Sequence, residues 1–258
     1  MPGKKIGLIA AMPEEIKPLL KEVGDYRKTT LERFTLYHLS LAGRQCSLIE
    51  SGIGMKRAEA ATQALVTSIR PDVLISFGFG GAVKPGMAVG DLAIGRKSAP
   101  YQGDQVVTSK AIVVSIPQGS QQTLASIGKE LGFTVQESDF LSSDKILNKR
   151  ELAGKLPSDI SNPVLDMETW AVARLAAQME IPLLAIRAIS DAGDEELDFS
   201  LDRFTDDEMN IRISRVLGTV VRTPRIIPQL IRLAVNSRIA GRNLAVSVKA
   251  ILESIKDE

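Results

Sequence analysis

Three carboxylates stand where apolar runs stop. The segment RAISDAGD, Arg187 to Asp194, carries an aliphatic run into Ser190, Asp191 and Asp194. A carboxyl group at the mouth of a dry strand has its charged form penalised, which equips it to donate a proton near neutral pH. The same residues also suit the cap of a following helix, because Ser and Asp side chains accept orphan N–H groups there. The segment LDMETWAVARLAAQM, Leu165 to Met179, puts Glu168 at the start of an amphipathic stretch. One ionised carboxylate in that place can accept two O–H donors, such as the paired hydroxyls of a sugar. Acids are also simply favourable in a first helical turn, and Glu15, in Met12-Pro13-Glu14-Glu15, carries the same two readings. Met12 and Met167, beside these acids, suit either an adaptable apolar wall or the core.

The elements that must hold these groups alternate in type. Ile6 to Ala11 is a run of apolar and small residues ending at Pro13, a residue suited to a first helical position, so it reads as a buried strand feeding a helix. Phe34 to Leu41 and Gln45 to Glu50 flank Ala42-Gly43-Arg44 and read as a hairpin running into Ser51-Gly52-Ile53-Gly54. Lys56 to Ile69 has helical spacing and ends before Pro71, and the strand Asp72 to Phe77 then meets Gly78-Phe79-Gly80-Gly81. Val89 to Ile94 and Ala111 to Ser115 read as strands, Gln121 to Leu131 as a helix, Val164 to Met167 as a short strand, and Ile181 to Ser190 as a buried strand. Alternation of this kind predicts an α/β fold of three layers, α-β-α: a mainly parallel, mixed and twisted sheet flanked by helices, with active residues at strand ends. One domain over residues 1–258 is expected, with 209–258 as a basic helical extension divided by Pro224 and Pro228.

Composition narrows the partners. Lys+Arg 32 and Asp+Glu 31 leave a net charge of +1, which disfavours nucleic acid. Cys46 is the sole cysteine, so an intrachain disulfide framework and a cysteine-rich metal site are excluded and a reducing, cytoplasmic setting is the expectation. Acids follow too soon after the first residues for a signal peptide, and no stretch is long enough to span a bilayer.

Taken in order along the chain, these segments resemble the nucleoside phosphorylase and nucleosidase superfamily, and within it the methylthioadenosine/S-adenosylhomocysteine nucleosidase branch. The resemblance rests on KIGLIAAMPEE near the start, SGIG at Ser51 to Gly54, FGFGGA at Phe77 to Ala82 and VGD at Val89 to Asp91. It continues through SSDKIL at Ser142 to Leu147, DMET at Asp166 to Thr169 and RAISD at Arg187 to Asp191, and covers roughly four-fifths of the chain. It implies that Asp191 protonates or hydrogen-bonds N7 of a purine, with Ser190 orienting it. Glu15 would be the general base on the attacking water, with Arg187 close to that water. Glu168 would hold the ribose hydroxyls over Met167. Ile146 and Leu147 would stack on and bond the base through their backbone, and Met12 and Ile53 would wall the 5′ side. The resemblance implies no metal or cofactor, a small-molecule nucleoside as partner, and a homo-oligomer of two or more copies.

Three departures stand out. Phe79, expected with Gly80 to touch the substrate, lies where the resemblance leads one to expect a small hydroxyl residue that positions water or phosphate; Phe can do neither, and its other use is to fill the room left by the glycines, with backbone N–H groups open to an anion. Ala99 to Gly119 lacks the family's His-Asp signature, and the only histidine, His38, sits in a hairpin strand. Met209 to Leu252 holds no acid but Arg212, Arg215, Arg222, Arg225, Arg232, Arg238, Arg242 and Lys249. With Gly-Phe-Gly-Gly, that tail is similar to the adenosylhopane-cleaving subgroup of hopanoid biosynthesis. Such a tail suits peripheral contact with an anionic membrane, or packing on the domain or on a second subunit.

The expected activity is hydrolysis of a 5′-substituted adenine nucleoside of methylthioadenosine, S-adenosylhomocysteine or adenosylhopane type. Two alternatives stay open: a phosphorylase using phosphate as co-substrate, with Arg57 a candidate anchor, and a nucleoside-binding module with impaired catalysis.

Overall fold

The computed structural model describes residues 4–41, 43–114, 119–145, 147–193 and 227–255. In chain order they form β1 (Ile6–Ala10), α1 (Pro13–Val23), β2 (Tyr26–Leu31), β3 (Phe34–Leu41), β4 (Arg44–Glu50), α2 (Met55–Ile69), β5 (Val73–Ala82), β6 (Leu92–Gln102), β7 (Gln105–Val106) and β8 (Ile112–Val113). There follow α3 (Ser120–Leu131), β9 (Val135–Ser142), α4 (Lys149–Lys155), β10 (Val164–Asp166), α5 (Thr169–Gln178), β11 (Leu183–Asp191) and α6 (Ile227–Ser254).

The strands pair in one mixed sheet of order β10-β9-β6-β11-β5-β1-β4-β3-β2. Its centre, β11-β5-β1-β4, is parallel, and the hairpin strands β3 and β2 are antiparallel at one edge. At the other end β10 pairs with both β9 and β5, so β5, β11, β6, β9 and β10 close into a circuit.

Alternation along the central strands serves two cores, as the pleat requires. On one face Ile6, Leu8, Ile75, Phe77, Leu184 and Ile186 pack with Ile16 and Leu19 of α1, Leu124 of α3 and Leu244 and Val248 of α6. On the other, Ile9, Leu74, Leu183 and Ala185 meet Ala58, Ala61 and Leu65 of α2 and Val172 and Ala176 of α5. Central strands buried on both sides read as continuous apolar runs, which is why they were visible in the sequence.

Several expected boundaries move. The glycines after Phe77 do not begin a loop: β5 continues through Ala82, because β11 pairs beside it from Leu74 to Gly81. Strands β2 and β9 and helix α4 had no counterpart in the sequence reading. Of the tail, the described residues 227–255 hold one helix, and the division expected at Pro224 lies outside them. Pro228 sits in the first turn of one long helix, where a missing N–H costs nothing. Nor is that helix an appendage, since Ala240, Leu244, Val248, Ile251 and Leu252 are fully buried in the first core. Each large aliphatic among them is worth about 1.5–3 kcal/mol of burial. Pro224 and residues 209–226 lie outside the described residues, as does Asp194.

Candidate active site

Glu15 is the third residue of α1, and its side chain folds back on the helix start. Oε2 accepts the N–H groups of Ala11 (2.8 Å) and Met12 (3.0 Å), the latter completing a capping box. Oε1 accepts the N–H of Phe79 at 2.8 Å. Three backbone donors therefore fix the carboxylate against the middle of β5. Burial nevertheless pushes the carboxyl above its ordinary range, against the lowering pull of the Phe79 N–H, of Arg187 and of the Met12 and Ala11 N–H groups.

Glycines make this approach possible. A Cβ on Gly78 would stand 2.6 Å from Glu15 Oε1, and one on Gly81 would stand 2.7 Å from Asp191 Oδ2. On Gly80 it would strike Val164 of β10 at 2.6 Å. The glycines of β5 thus admit one acid from α1, another from β11, and the strand that closes the circuit. Phe79 packs against the first core, 3.5 Å from where a Cβ on Gly241 of α6 would be. It fills space as the sequence allows, but its N–H is taken by Glu15, so that donor is not open to an external anion.

Glu168 caps α5, is 9% exposed, and accepts the Gly54 N–H at 2.8 Å from the Ser51–Gly54 turn. Its carboxyl is pushed up to about 8, first by burial and then by repulsion from Asp166 and Glu15, against the pull of Arg187 and the Gly54 N–H. Behind it lies a group that sequence reasoning passed over. Asp166 accepts from Ser142 (2.5 Å), from the Thr169 hydroxyl and N–H, and from Arg187 Nε (3.0 Å) and Nη2 (2.9 Å). Arg187, 2% exposed, also donates to Ser76 Oγ (3.1 Å) and to the Ile186 carbonyl. The signals for Asp166 in the sequence were a lone acid closing an apolar strand and a place in the DMET segment, neither of which names its partner.

Glu15, Glu168 and Arg187 line one narrow recess with Ser51, Ser76 and Gly78. Asp191 does not line it. It ends β11 beside Gly81, three residues farther along β5, roughly 10 Å at strand rise. Its Oδ1 accepts the Ser190 hydroxyl at 2.8 Å, and its carboxylate pairs with Lys149 at the start of α4. Met12 and Met167 are half-buried beside these acids in sequence, Ile53 is half-buried in the Ser51–Gly54 turn, and Leu147 packs toward a third cluster holding Leu141 and Leu152. Ile146 lies outside the described residues. Arg57 lies across Gly52, whose φ of +77° and missing Cβ leave room for the guanidinium. Asp91 of the VGD segment has a structural use: it accepts the N–H groups of Ala88 (2.7 Å) and Thr134 (2.8 Å) at the entry to β6.

A mixed sheet with carboxylates gathered where its central strands end defines a class of enzymes, and the family comparison agrees. Residues 5–222 match the model of the Phosphorylase superfamily, and the chain belongs to that family. It is an enzyme of the N-glycosidic bond, a nucleosidase or nucleoside phosphorylase. Among its relatives, a 5'-methylthioadenosine/S-adenosylhomocysteine nucleosidase of Listeria welshimeri is 30% identical, over 77% of this chain and 91% of its own. One from Haemophilus influenzae is 27% identical, over 84% and 99%. Among solved structures, the nucleosidase of Neisseria meningitidis in complex with methylthio-immucillin-A has a TM-score of 0.72 at 22% identity, covering 98% of this chain and 100% of that one. Futalosine hydrolase of Helicobacter pylori has a TM-score of 0.71 at 17% identity, covering 98% of each.

Proposed function

We propose that the chain hydrolyses the N-glycosidic bond of a 5′-substituted adenine nucleoside, with water as the nucleophile. The observation that carries this reading is the placement of two raised carboxyls, Glu15 and Glu168, in one recess while Asp191 stands about three residues of β5 away. Breaking the bond to an oxocarbenium-like sugar needs an acid at the leaving base and a base with negative charge near the sugar. Asp191, oriented by Ser190, serves N7. Glu15 takes the proton of the water, with Arg187 behind it. Glu168 accepts the ribose hydroxyls and Met167 lies under the sugar. In this reading Leu147 and Gly80 serve the base, and Met12, Ile53 and Phe79 the 5′ side.

Water is favoured over phosphate by charge. Among the described residues lining the recess only Arg187 is cationic, and its guanidinium is already paired with Asp166, which leaves an entering phosphate no unpaired charge to bind. Adenine release from methylthioadenosine in phosphate-free buffer tests this; strict dependence on added phosphate would overturn it.

For the 5′ group we favour a long apolar substituent of adenosylhopane type. Ile227, Ile231, Val235 and Ile239 recur every four residues on α6 and are 39–59% exposed, in a stretch that carries arginines and no acid. Such a face suits contact with an anionic membrane surface, where an apolar substrate would be drawn from. Val113, 83% exposed beside Ala173 and Pro182, offers apolar surface for a second copy, in keeping with a homo-oligomer.

A further inference from the structure

Lys149 is a buried cation to which nothing above gives a role. It is the first residue of α4, whose start is fixed by Asn148, the side chain of which accepts the Glu151 N–H at 3.0 Å. The residue is 7% exposed. Its ammonium has three acceptors: the carboxylate of Asp191, the Asp191 carbonyl (3.1 Å) and the Ala192 carbonyl (2.8 Å). An ammonium has three donors, so all are spent at the end of β11. Long aliphatic stems carrying a charge are seldom buried unless the charge is paired, so the arrangement needs a reason.

The geometry around Asp191 supplies one. Ser190 donates to Oδ1 and Lys149 to the carboxylate's other side. A purine N7 is an acceptor, and a carboxylate holding no proton cannot donate to it. We propose that Lys149 is a positioning residue for the leaving-group step: it holds Asp191 at the mouth of the site and is the source of the proton that Asp191 passes to N7. The proposal rests on reading Asp191 as the group at the purine.

The balance is as follows. The C1′–N9 bond breaks and its electron pair moves onto the purine, making N7 the strongest base nearby. Asp191 gives a proton to N7 and takes one from the Lys149 ammonium, which becomes an amine. Water adds to C1′ and its proton goes to Glu15. Both groups are reset by exchange with solvent, for which the Asp191 side chain, 30% exposed, is the open end.

The test compares leaving groups. Wild type, Lys149→Met and Lys149→Arg are assayed on methylthioadenosine and on 4-nitrophenyl riboside, whose phenolate departs without protonation. Lys149→Met is expected to lower kcat on the purine substrate by roughly 10²-fold, within the range for one proton-transfer partner, with KM changed less than threefold. Its kcat on the nitrophenyl substrate should stay within threefold of wild type, and Lys149→Arg, whose guanidinium keeps the charge but does not give up a proton, should lose purine activity to a similar degree as Lys149→Met. An unchanged purine kcat in Lys149→Met, or equal losses on both substrates by a variant with a wild-type melting transition, would overturn the proposal. If Lys149→Met does not fold, Lys149→Gln, which keeps two hydrogen bonds without the charge, is judged by the same two outcomes. Wild-type protein inactive on the purine but active on the nitrophenyl riboside would count instead against the reading of Asp191.

Discussion

The Glu15 carboxylate and the Phe79 N–H are joined by a 2.8 Å hydrogen bond across 64 positions of sequence, tying the first turn of α1 to the middle of β5. That bond exists because Gly78 has no side chain. Gly78→Ala would set a methyl group 2.6 Å from Oε1 and must displace the carboxylate. A loss of about 1–3 kcal/mol in stability is expected from overpacking, with kcat for adenine release down at least tenfold. Glu15→Gln should keep the fold and lose about 10²–10⁴-fold in kcat, as expected of a general base. Steady-state assays of the two variants decide the point, and a Glu15→Gln enzyme of wild-type kcat would remove Glu15 from the chemistry.

Arg187 and Asp166 form an ion pair with both side chains at most 2% exposed. Truncating one partner leaves the other charged, buried and unpaired. Arg187→Met is therefore expected to cost about 3–5 kcal/mol in urea unfolding. The double variant Arg187→Met/Asp166→Asn should cost less than the two single changes added, and strict additivity would show that the pair is not coupled.

Stability should fall as pH rises through the neutral range. The Glu168 carboxyl stands at about 8 in the folded chain against an ordinary 4.5. Between those values the native state holds a proton that the unfolded chain has released. The stabilisation is fully present below about 4.5 and is lost as pH passes about 8, with a slope of up to about 1.4 kcal/mol per pH unit. Glu168→Gln cannot titrate, so its unfolding free energy should vary less between pH 5 and 8, in the range of about one such slope or more. Parallel pH profiles for wild type and variant would contradict the assignment.

The two halves of α6 should respond differently to substitution. Leu244 is fully buried, and Leu244→Ala is expected to cost about 2–5 kcal/mol. Ile231 and Val235 are 59% and 51% exposed, so Ile231→Glu/Val235→Glu should leave the melting temperature nearly unchanged. Wild-type protein is expected to float with vesicles containing phosphatidylglycerol and the double variant to remain below. Equal flotation of both would withdraw the membrane contact proposed for this face.

What the sequence disclosed followed from range. Glu15, Glu168 and Asp191 each close a local pattern of apolar run, punctuation and acid, and the strands that carry them are buried on both faces, so residues a few places apart sufficed. Lys149 meets Asp191 from 42 positions away, at the head of a seven-residue helix with no strong periodicity, and no local rule pairs them. The same holds for Asp166, whose partner Arg187 is 21 positions on. The strand reading stopped at Phe77 because glycine weakens a strand taken alone. In the folded chain FGFGGA is a strand whose missing side chains make room for its neighbours, a property that belongs to α1, β10 and β11 as much as to β5.

The rest of Glu15 on Gly78 and of Asp191 on Gly81 makes β5 a ruler. Both supports belong to one strand that is paired with β11 from Leu74 to Gly81, so breathing of the sheet carries the backbone under the two acids together. A nucleoside bound as proposed would therefore meet, at its base and its sugar, two acids carried on one strand. Discrimination among substrates is left to the parts of the molecule that this ruler does not measure, at the 5′ end.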